Sequence, residues 1–327
     1  MININKKQAS PFVFQCKEYL SEMSKDTSTY KSNTKIKTKP IHISVLDMSR
    51  EDAHLIEKYG FNVFSFSLEL EALTPPSNFL SRHSLKSQSR MKMVDWMIKI
   101  FSSYAAEPGT FFLCVNILDD FLLRTPYHLY DEDIHLIGMV CIFIASKMED
   151  IVPLKMTNIK TDIGHDKFSE RTILRKEREI LKVIDFNLVT VHTYDFIRIF
   201  LYDLCINNQD KIKFYNVENH IRAIEKISIY LAKMLTLDES YDKYHHSLKA
   251  LGCIVVAFDI LRSHSRTLDK EKESFIREWI VFIIKQSGYT EKNVESLYKK
   301  IVEFYKHINV YSEMAPCLGK CIEIELQ

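Results

Sequence analysis

Glycine and proline placement constrains this chain more than any other feature. Seven glycines occur in 327 residues, at positions 60, 109, 138, 164, 252, 288 and 319, and no two lie within twenty residues of each other. A G-x-G-x-x-G dinucleotide loop, a P-loop and a G-x-S-x-G nucleophile elbow each need clustered glycines for close backbone approach or a sharp turn. All three are excluded. No proline occurs between Pro153 and Pro316. A sheet protein would punctuate such a stretch with turn residues, whereas long helices exclude them, so the chain reads as all-α.

Helical periodicity sets the organisation. From Gln88 to Tyr104 the apolar residues Met93, Trp96, Met97, Ile100, Phe101 and Tyr104 recur at steps of three and four, which makes one buried stripe. Pro108 and Gly109 break the pattern, Phe111 to Leu123 resumes it, and Pro126 ends it. Asp131 is placed to cap the next helix, which runs to Lys147. Pro153 suits the first position of a short fourth helix, where its missing N–H costs nothing. Ser169 is placed to cap a fifth, through Ile173, Ile180 and Ile184, and a connector from Asp185 to Thr190 follows.

The pattern then restarts. At one constant offset along the chain, Leu136 pairs with Leu248, Gly138 with Ala250, Cys141 with Cys253, Ile142 with Ile254 and Ala145 with Ala257. Small residues on a central helix let its neighbours approach on every side, so the match implies two copies of one five-helix unit. Lys147 falls opposite Asp259, which confines any function of that lysine to the first copy.

The composition is that of a globular protein, with 46% hydrophobic and 27% charged residues. With 44 basic against 43 acidic residues, nothing draws the whole chain toward nucleic acid or anionic lipid. No apolar run approaches the roughly 20 residues of a membrane span. Lys6 and Lys7 are not followed by the apolar core of a secretory signal. Seven cysteines without framework spacing fit free thiols in a reducing compartment. Cys317, Cys321, His245 and His246 are the only metal-like groupings, and none supplies four ligands at zinc spacing, so neither metal nor cofactor is expected.

Three short runs carry a family signature: Arg90-Met91-Lys92-Met93-Val94-Asp95-Trp96-Met97, Asn116-Ile117-Leu118-Asp119, and Ile144-Ala145-Ser146-Lys147-Met148-Glu149-Asp150. In this order they resemble the opening of a cyclin box, the helical module that binds and activates cyclin-dependent kinases. Glu71, Pro76, Phe79 and Leu80 resemble the lead-in of A- and B-type cyclins. Ile229-Tyr230-Leu231-Ala232, Leu237-Asp238, Tyr244, Ser247-Leu248 and Gly288-Tyr289-Thr290 resemble the second cyclin fold. The resemblance covers roughly residues 60 to 310. It implies an N-terminal lead-in helix and linker (41–87), a first cyclin box (88–187) and a second cyclin fold (188–310).

By similarity, Lys147 and Glu177 bind backbone of the kinase, while Met148, Ile151, Leu181 and Phe186 cradle its regulatory helix. Physically, a lysine and a glutamate within an apolar patch offer charge-assisted bonds that fix a partner's register. Alone, such a pair is ordinarily solvated surface, and for Met148, Ile151 and Leu181 a place in the chain's own core is the competing, less favoured reading. The resemblance assigns Arg90 and Asp119 to a structural ion pair joining the first two helices. It implies a regulator, not an enzyme, that forms a one-to-one heterodimer with a kinase in the nucleus and cytoplasm and also meets substrates or inhibitors. The alternatives are a cyclin-fold transcription factor, which would need a basic face, or a scaffold that no longer activates a kinase.

The chain departs from the family where many members dock Arg-x-Leu substrates. Ser89 stands for a methionine, Lys92 for an isoleucine and Lys99 for a glutamate, and only Met93 and Trp96 are kept. Like charges disfavour an arginine-bearing ligand, so the groove is expected to be lost or retuned toward acidic peptides. The segment from Met1 to Pro40 holds eight lysines against three acids and no sustained periodicity, which reads as a flexible basic tail. Lys31 to Lys39 could serve as a nuclear signal, though a solvated tail is the commoner meaning. Residues 311–327 read as a C-terminal tail. Arg82-His83-Ser84-Leu85 fits the Arg-x-x-Leu core of a destruction box, a short pattern that recurs by chance.

Overall fold

The computed structural model describes residues 44–73, 80–265 and 267–306. The basic tail, Pro76, Phe79, the C-terminal tail and Cys317 with Cys321 lie outside them. Among the described residues the regular structure is all helical, with one isolated bridge between Ser84 and Tyr130. A lead-in helix α1 (Arg50–Leu73) precedes the first unit, which contains α2 (Ser87–Ser103), α3 (Pro108–Arg124), α4 (Ile134–Glu149), a π-helical turn (Asn158–Ile163) and α5 (Glu170–Val183). The second unit contains α6 (Thr193–Asn207), the short α7 (Gln209–Tyr215), α8 (Glu218–Leu235), α9 (His246–His264), α10 (Lys270–Gln286) and α11 (Glu291–Lys306).

Each unit is built round one central helix. In the first, α4 packs against α2, α3 and α5; in the second, α9 packs against α6, α8, α10 and α11. The two central helices begin at Ile134 and His246, separated by the same offset that aligns their side-chain pattern. Residues Ile137 to Ser146 of α4 and Ser247 to Phe258 of α9 are buried without interruption. A helix buried on all faces needs small residues where neighbours cross. A Cβ at Gly138 would run into the Met93 side chain, and one at Gly252 would lie 2.9 Å from Ile301 Cδ1.

Local signals are partly as the sequence suggests. Ser169 caps α5, its hydroxyl accepting from the Thr172 N–H. Asp131 does not cap α4: its carboxylate accepts from the Lys86 N–H at the entrance to α2, and Asp133 occupies the cap position. Pro108 and Gly109 do not break a helix but begin one, since proline suits a first turn. The chain reverses one step earlier, at Ala105, in the left-handed region (φ 52°). Helix after Pro153 starts only at Met156 and widens at once to a π-turn.

The segment ahead of the first unit is anchored on the second. The buried Glu225 carboxylate on α8 accepts from the Ser44 hydroxyl at 2.5 Å and the Val45 N–H at 3.2 Å. Arg222 and Asp47 form a bidentate pair at 2.6 and 2.7 Å. Glu71, buried near the end of α1, accepts from the N–H and hydroxyl of Ser247 at the N-terminus of α9. A carboxylate there meets free N–H groups and the positive end of the helix dipole.

Candidate functional site

Lys147 closes the last turn of α4, and Glu177 lies mid-way along α5. Packing of these two helices brings the side chains into an ion pair. Glu177 is nearly buried, Lys147 more exposed, and the Lys147 ammonium lies 4.0 Å from the centre of the Phe143 ring. Burial pulls the Lys147 pKa below the usual lysine value. The pair sits at the rim of the core, not inside it.

Apolar residues are exposed at and beyond the C-terminal ends of both helices. Met148, Ile151 and Phe186 are exposed, at 53%, 85% and 64%. Val152, Leu174 and Val189 are also exposed, and the sequence reading did not include them. Leu181 is half-buried and packs on the core. Exposed large hydrophobes gathered on one face mark an interaction surface more than isolated ones do. Periodicity could not have found Val152 or Val189, because both lie in connecting segments with no face to assign.

Phe186 is presented by a strained turn. After α5, Asp185 (φ 55°) and Phe186 (φ 54°) are both left-handed, and the Phe186 N–H closes on the Leu181 carbonyl at 2.8 Å. This backbone region costs a non-glycine residue about 1 kcal/mol or more. A bulky aromatic held there, yet facing solvent, gains little in return within the chain.

The residues of the second region fall on another surface. Lys92 and Lys99 are exposed on α2, Met93 is buried beneath Gly138, and Trp96 is half-buried between the lysines. The Trp96 ring lies 5.3 Å from that of His135.

Arg90 is 1% exposed and grips Asp119 through two bonds, Nε to Oδ1 at 2.7 Å and Nη2 to Oδ2 at 2.5 Å. Its Nη1 donates to the Thr236 carbonyl at 2.8 Å, so the pair that joins α2 to α3 also reaches the end of α8. Asp242 and Lys249 of the second unit line a cavity of about 40 Å³ beside it. Burial raises the Asp242 carboxyl to about 6. The Asp242 Oδ2 atom is buried without a hydrogen-bond partner.

The Arg-x-x-Leu run is built into the fold. Leu85 is buried, the Arg82 guanidinium donates to the Leu123 carbonyl at 2.6 Å, and the Ser84 N–H donates to the Leu129 carbonyl at 3.1 Å. The four described cysteines, 114, 141, 205 and 253, are free and buried. Among the described residues no group of three or more His, Cys, Asp or Glu could hold a metal ion, and no helix is long and apolar enough to cross a membrane.

Two tandem helical units, each wound about a buried central helix, define the class: an all-helical double-repeat protein. The chain matches the family described as Cyclin, N-terminal domain, over residues 62–189, and that described as Cyclin, C-terminal domain, over residues 191–315. It belongs to the cyclin family. It is 28% identical over 257 residues to the G2/mitotic-specific cyclin cdc13 of Schizosaccharomyces pombe, covering 77% of this chain and 47% of that protein. It is 24% identical over 265 residues to the G2/mitotic-specific cyclin-B of Emericella nidulans, covering 80% and 49%. Cyclin-A1-4 of Oryza sativa subsp. japonica is 25% identical over 224 residues, covering 68% and 60%. The chain spans about half the length of the first two. A viral cyclin from herpesvirus saimiri shares the fold, with a TM-score of 0.54 at 15% identity over 76% of this chain and 98% of that one.

Proposed function

We propose that the protein is the regulatory subunit of a cyclin-dependent Ser/Thr kinase, which it binds one to one and activates in the control of cell-cycle progression, in the nucleus and cytoplasm. In this reading residues 88–187 form the kinase-binding unit and residues 188–310 its structural companion. The observation that carries it is the Lys147–Glu177 pair between α4 and α5, with Met148, Ile151 and Phe186 exposed at the C-terminal ends of those two helices. Covering the apolar residues would contribute roughly 25 cal/mol per Å² of surface removed from water. Lys147 and Glu177 would then exchange their mutual pairing for backbone carbonyl and N–H groups of the partner, which fixes its register. Leu181, half-buried, would support the patch from below.

The test is a double substitution, Lys147→Ala with Glu177→Ala, in the full chain. Affinity for the kinase recovered from the native cell is expected to fall by at least about 2 kcal/mol, roughly thirtyfold, because each change leaves a desolvated partner group unpaired. Circular dichroism and melting should show the fold retained. Full activation of that kinase by the double variant would sink the proposal.

A further inference from the structure

The lead-in helix α1 carries an apolar flank that the described residues leave open. Its inner side packs on α6: Phe64 is half-buried with its ring 5.8 Å from that of Phe200, and Ser67 and Glu71 are buried. Along one flank stand Leu55, Tyr59, Val63 and Phe66, at steps of four, four and three, which puts them on one side of the helix. They are 53%, 44%, 49% and 56% exposed. Large hydrophobes gathered in a row and half open to water mark a surface that something covers. The outer border of this stripe is charged, with exposed Glu51, Lys58 and Glu69, and α1 as a whole holds five acids against two bases.

One segment of this chain matches the stripe in length, pattern and charge. Behind Ser10 and Pro11, a pair of helix-start residues, Phe12, Cys16, Tyr19, Leu20 and Met23 recur at steps of three and four, so on a helix they would share one face. Phe12 to Met23 and Leu55 to Phe66 each span eleven residue steps, about 16 Å of helix. The first 40 residues hold eight lysines against three acids, the opposite balance to α1. Connection along the chain makes the encounter local. Ser44 and Val45 are held by Glu225 on α8, and Val45–Asp47 packs on α6, the helix on which α1 also lies. Between Met23 and Ser44 the chain can reach roughly 70 Å, well beyond the length of α1. A tether of this kind brings the segment to the stripe at an effective concentration of about a millimolar.

We propose that residues 12–23 dock within the same molecule on the Leu55–Phe66 stripe of α1, apolar face against apolar stripe, with lysines of the tail toward the glutamates at its border. Removal of both apolar faces from water drives the contact, and opposite charge selects the tail as occupant. A second copy fits less well, because stripe against stripe would bring two acidic helices together. The same acids repel a nucleic acid or an anionic lipid surface. Docking is a property of this chain alone and does not rest on the regulatory-subunit reading.

Cys16 lies among the docking residues, so its thiol reports the contact. The experiment follows maleimide labelling of Cys16 in the full chain, read by mass spectrometry of the tail peptide. Two double variants are compared with the unaltered protein: Tyr59→Ser with Phe66→Ser on the stripe, both at exposed positions, and Phe12→Ser with Leu20→Ser in the tail. Each should speed labelling by about tenfold, while melting stays unchanged. Protection in the unaltered chain should be the same after a tenfold dilution, since the contact is intramolecular. Equal labelling rates in all three proteins would overturn the proposal, and protection that fades on dilution would assign the stripe to a second copy instead. Loss of kinase affinity in the stripe variant with no change at Cys16 would give the stripe to the kinase, which also overturns it. Since the kinase is absent from the labelling, failure of the docking claim and failure of the kinase claim are read separately.

Discussion

The two central helices repeat one side-chain pattern and differ at their C-terminal ends. At the end of α4, Lys147 pairs with Glu177 at the surface, and Met148 and Ile151 beyond it are exposed. At the same register of α9 stands Asp259, whose carboxylate is taken inside the chain by Arg262 and by the Tyr298 hydroxyl at 2.7 Å. Ile260, opposite Met148, packs partly on the core, and Ser263 and His264, opposite Ile151 and Val152, are polar. The second unit therefore closes the end of its central helix with its own groups. The first leaves that end open, apolar and charged. The buried faces repeat, and what does not repeat is the surface at one helix end.

Where the units meet, the comparison can be broken most forcefully. Arg90 serves both, through Asp119 on its own side and the Thr236 carbonyl on the other. Asp119→Ala would leave a fully buried guanidinium without its counter-ion, at an expected cost of about 3 to 5 kcal/mol in urea unfolding. Lys147→Ala, at a partly exposed pair, should cost less than about 1 kcal/mol. Equal losses would mean that Arg90 is not the joint between the units.

A smaller effect tests the closed end. Asp259→Ala removes the acceptor of both Arg262 and Tyr298 within the second unit, so unfolding free energy should fall by about 2 kcal/mol. Kinase affinity should not change. This is the converse of the double substitution at Lys147 and Glu177, which should lower affinity and spare the fold. A loss of kinase affinity with Asp259→Ala at temperatures where the protein stays folded would show that the second central helix also faces the partner.

What the sequence discloses follows the same division. The helical periods, the Ser169 cap, the constant offset between the two units and the small residues of the central helices were readable, because each is a local or repeated pattern with a fixed physical meaning. The bond of Arg90 to Thr236, the docking of Glu71 on Ser247 and of Glu225 on Ser44 were not. They join residues far apart along the chain, and no spacing rule reaches that far. Asp131 does not cap α4 because its carboxylate is taken by the Lys86 N–H, and Asp133, which holds the cap position, turns its own carboxylate back to the Tyr130 N–H. Arg82-His83-Ser84-Leu85 matched a short motif, yet Leu85 is core, which a two-position pattern cannot reveal. Among the candidate site residues, Lys147 and Glu177 came from the resemblance carried by the Ala145-Ser146-Lys147 run, since charge alone would leave such a pair as ordinary solvated surface. The exposure of Met148, Ile151 and Phe186 against the half-burial of Leu181 needed the packing of α4 on α5.

The last prediction concerns the smallest energy and the sharpest contrast. The second unit turns after α10 at Gly288 (φ 75°), a residue for which the left-handed region carries no steric cost. The first unit turns after α5 through Asp185 and Phe186, which carry one. If Phe186 served folding, replacing it should destabilise the chain; if it is held for a partner, the fold should tolerate its loss. Phe186→Gly relieves the backbone and removes a side chain that is 64% exposed, so relief and the added freedom of glycine in the unfolded chain nearly offset each other. Unfolding free energy should change by no more than about 1 kcal/mol, in either direction, while kinase affinity falls by roughly tenfold through the lost apolar contact. Melting and binding measured on one preparation decide the matter. A marked drop in stability with affinity intact would assign Phe186 to the fold, and the open end of the first unit would then have to bind through Met148, Ile151 and the ion pair alone.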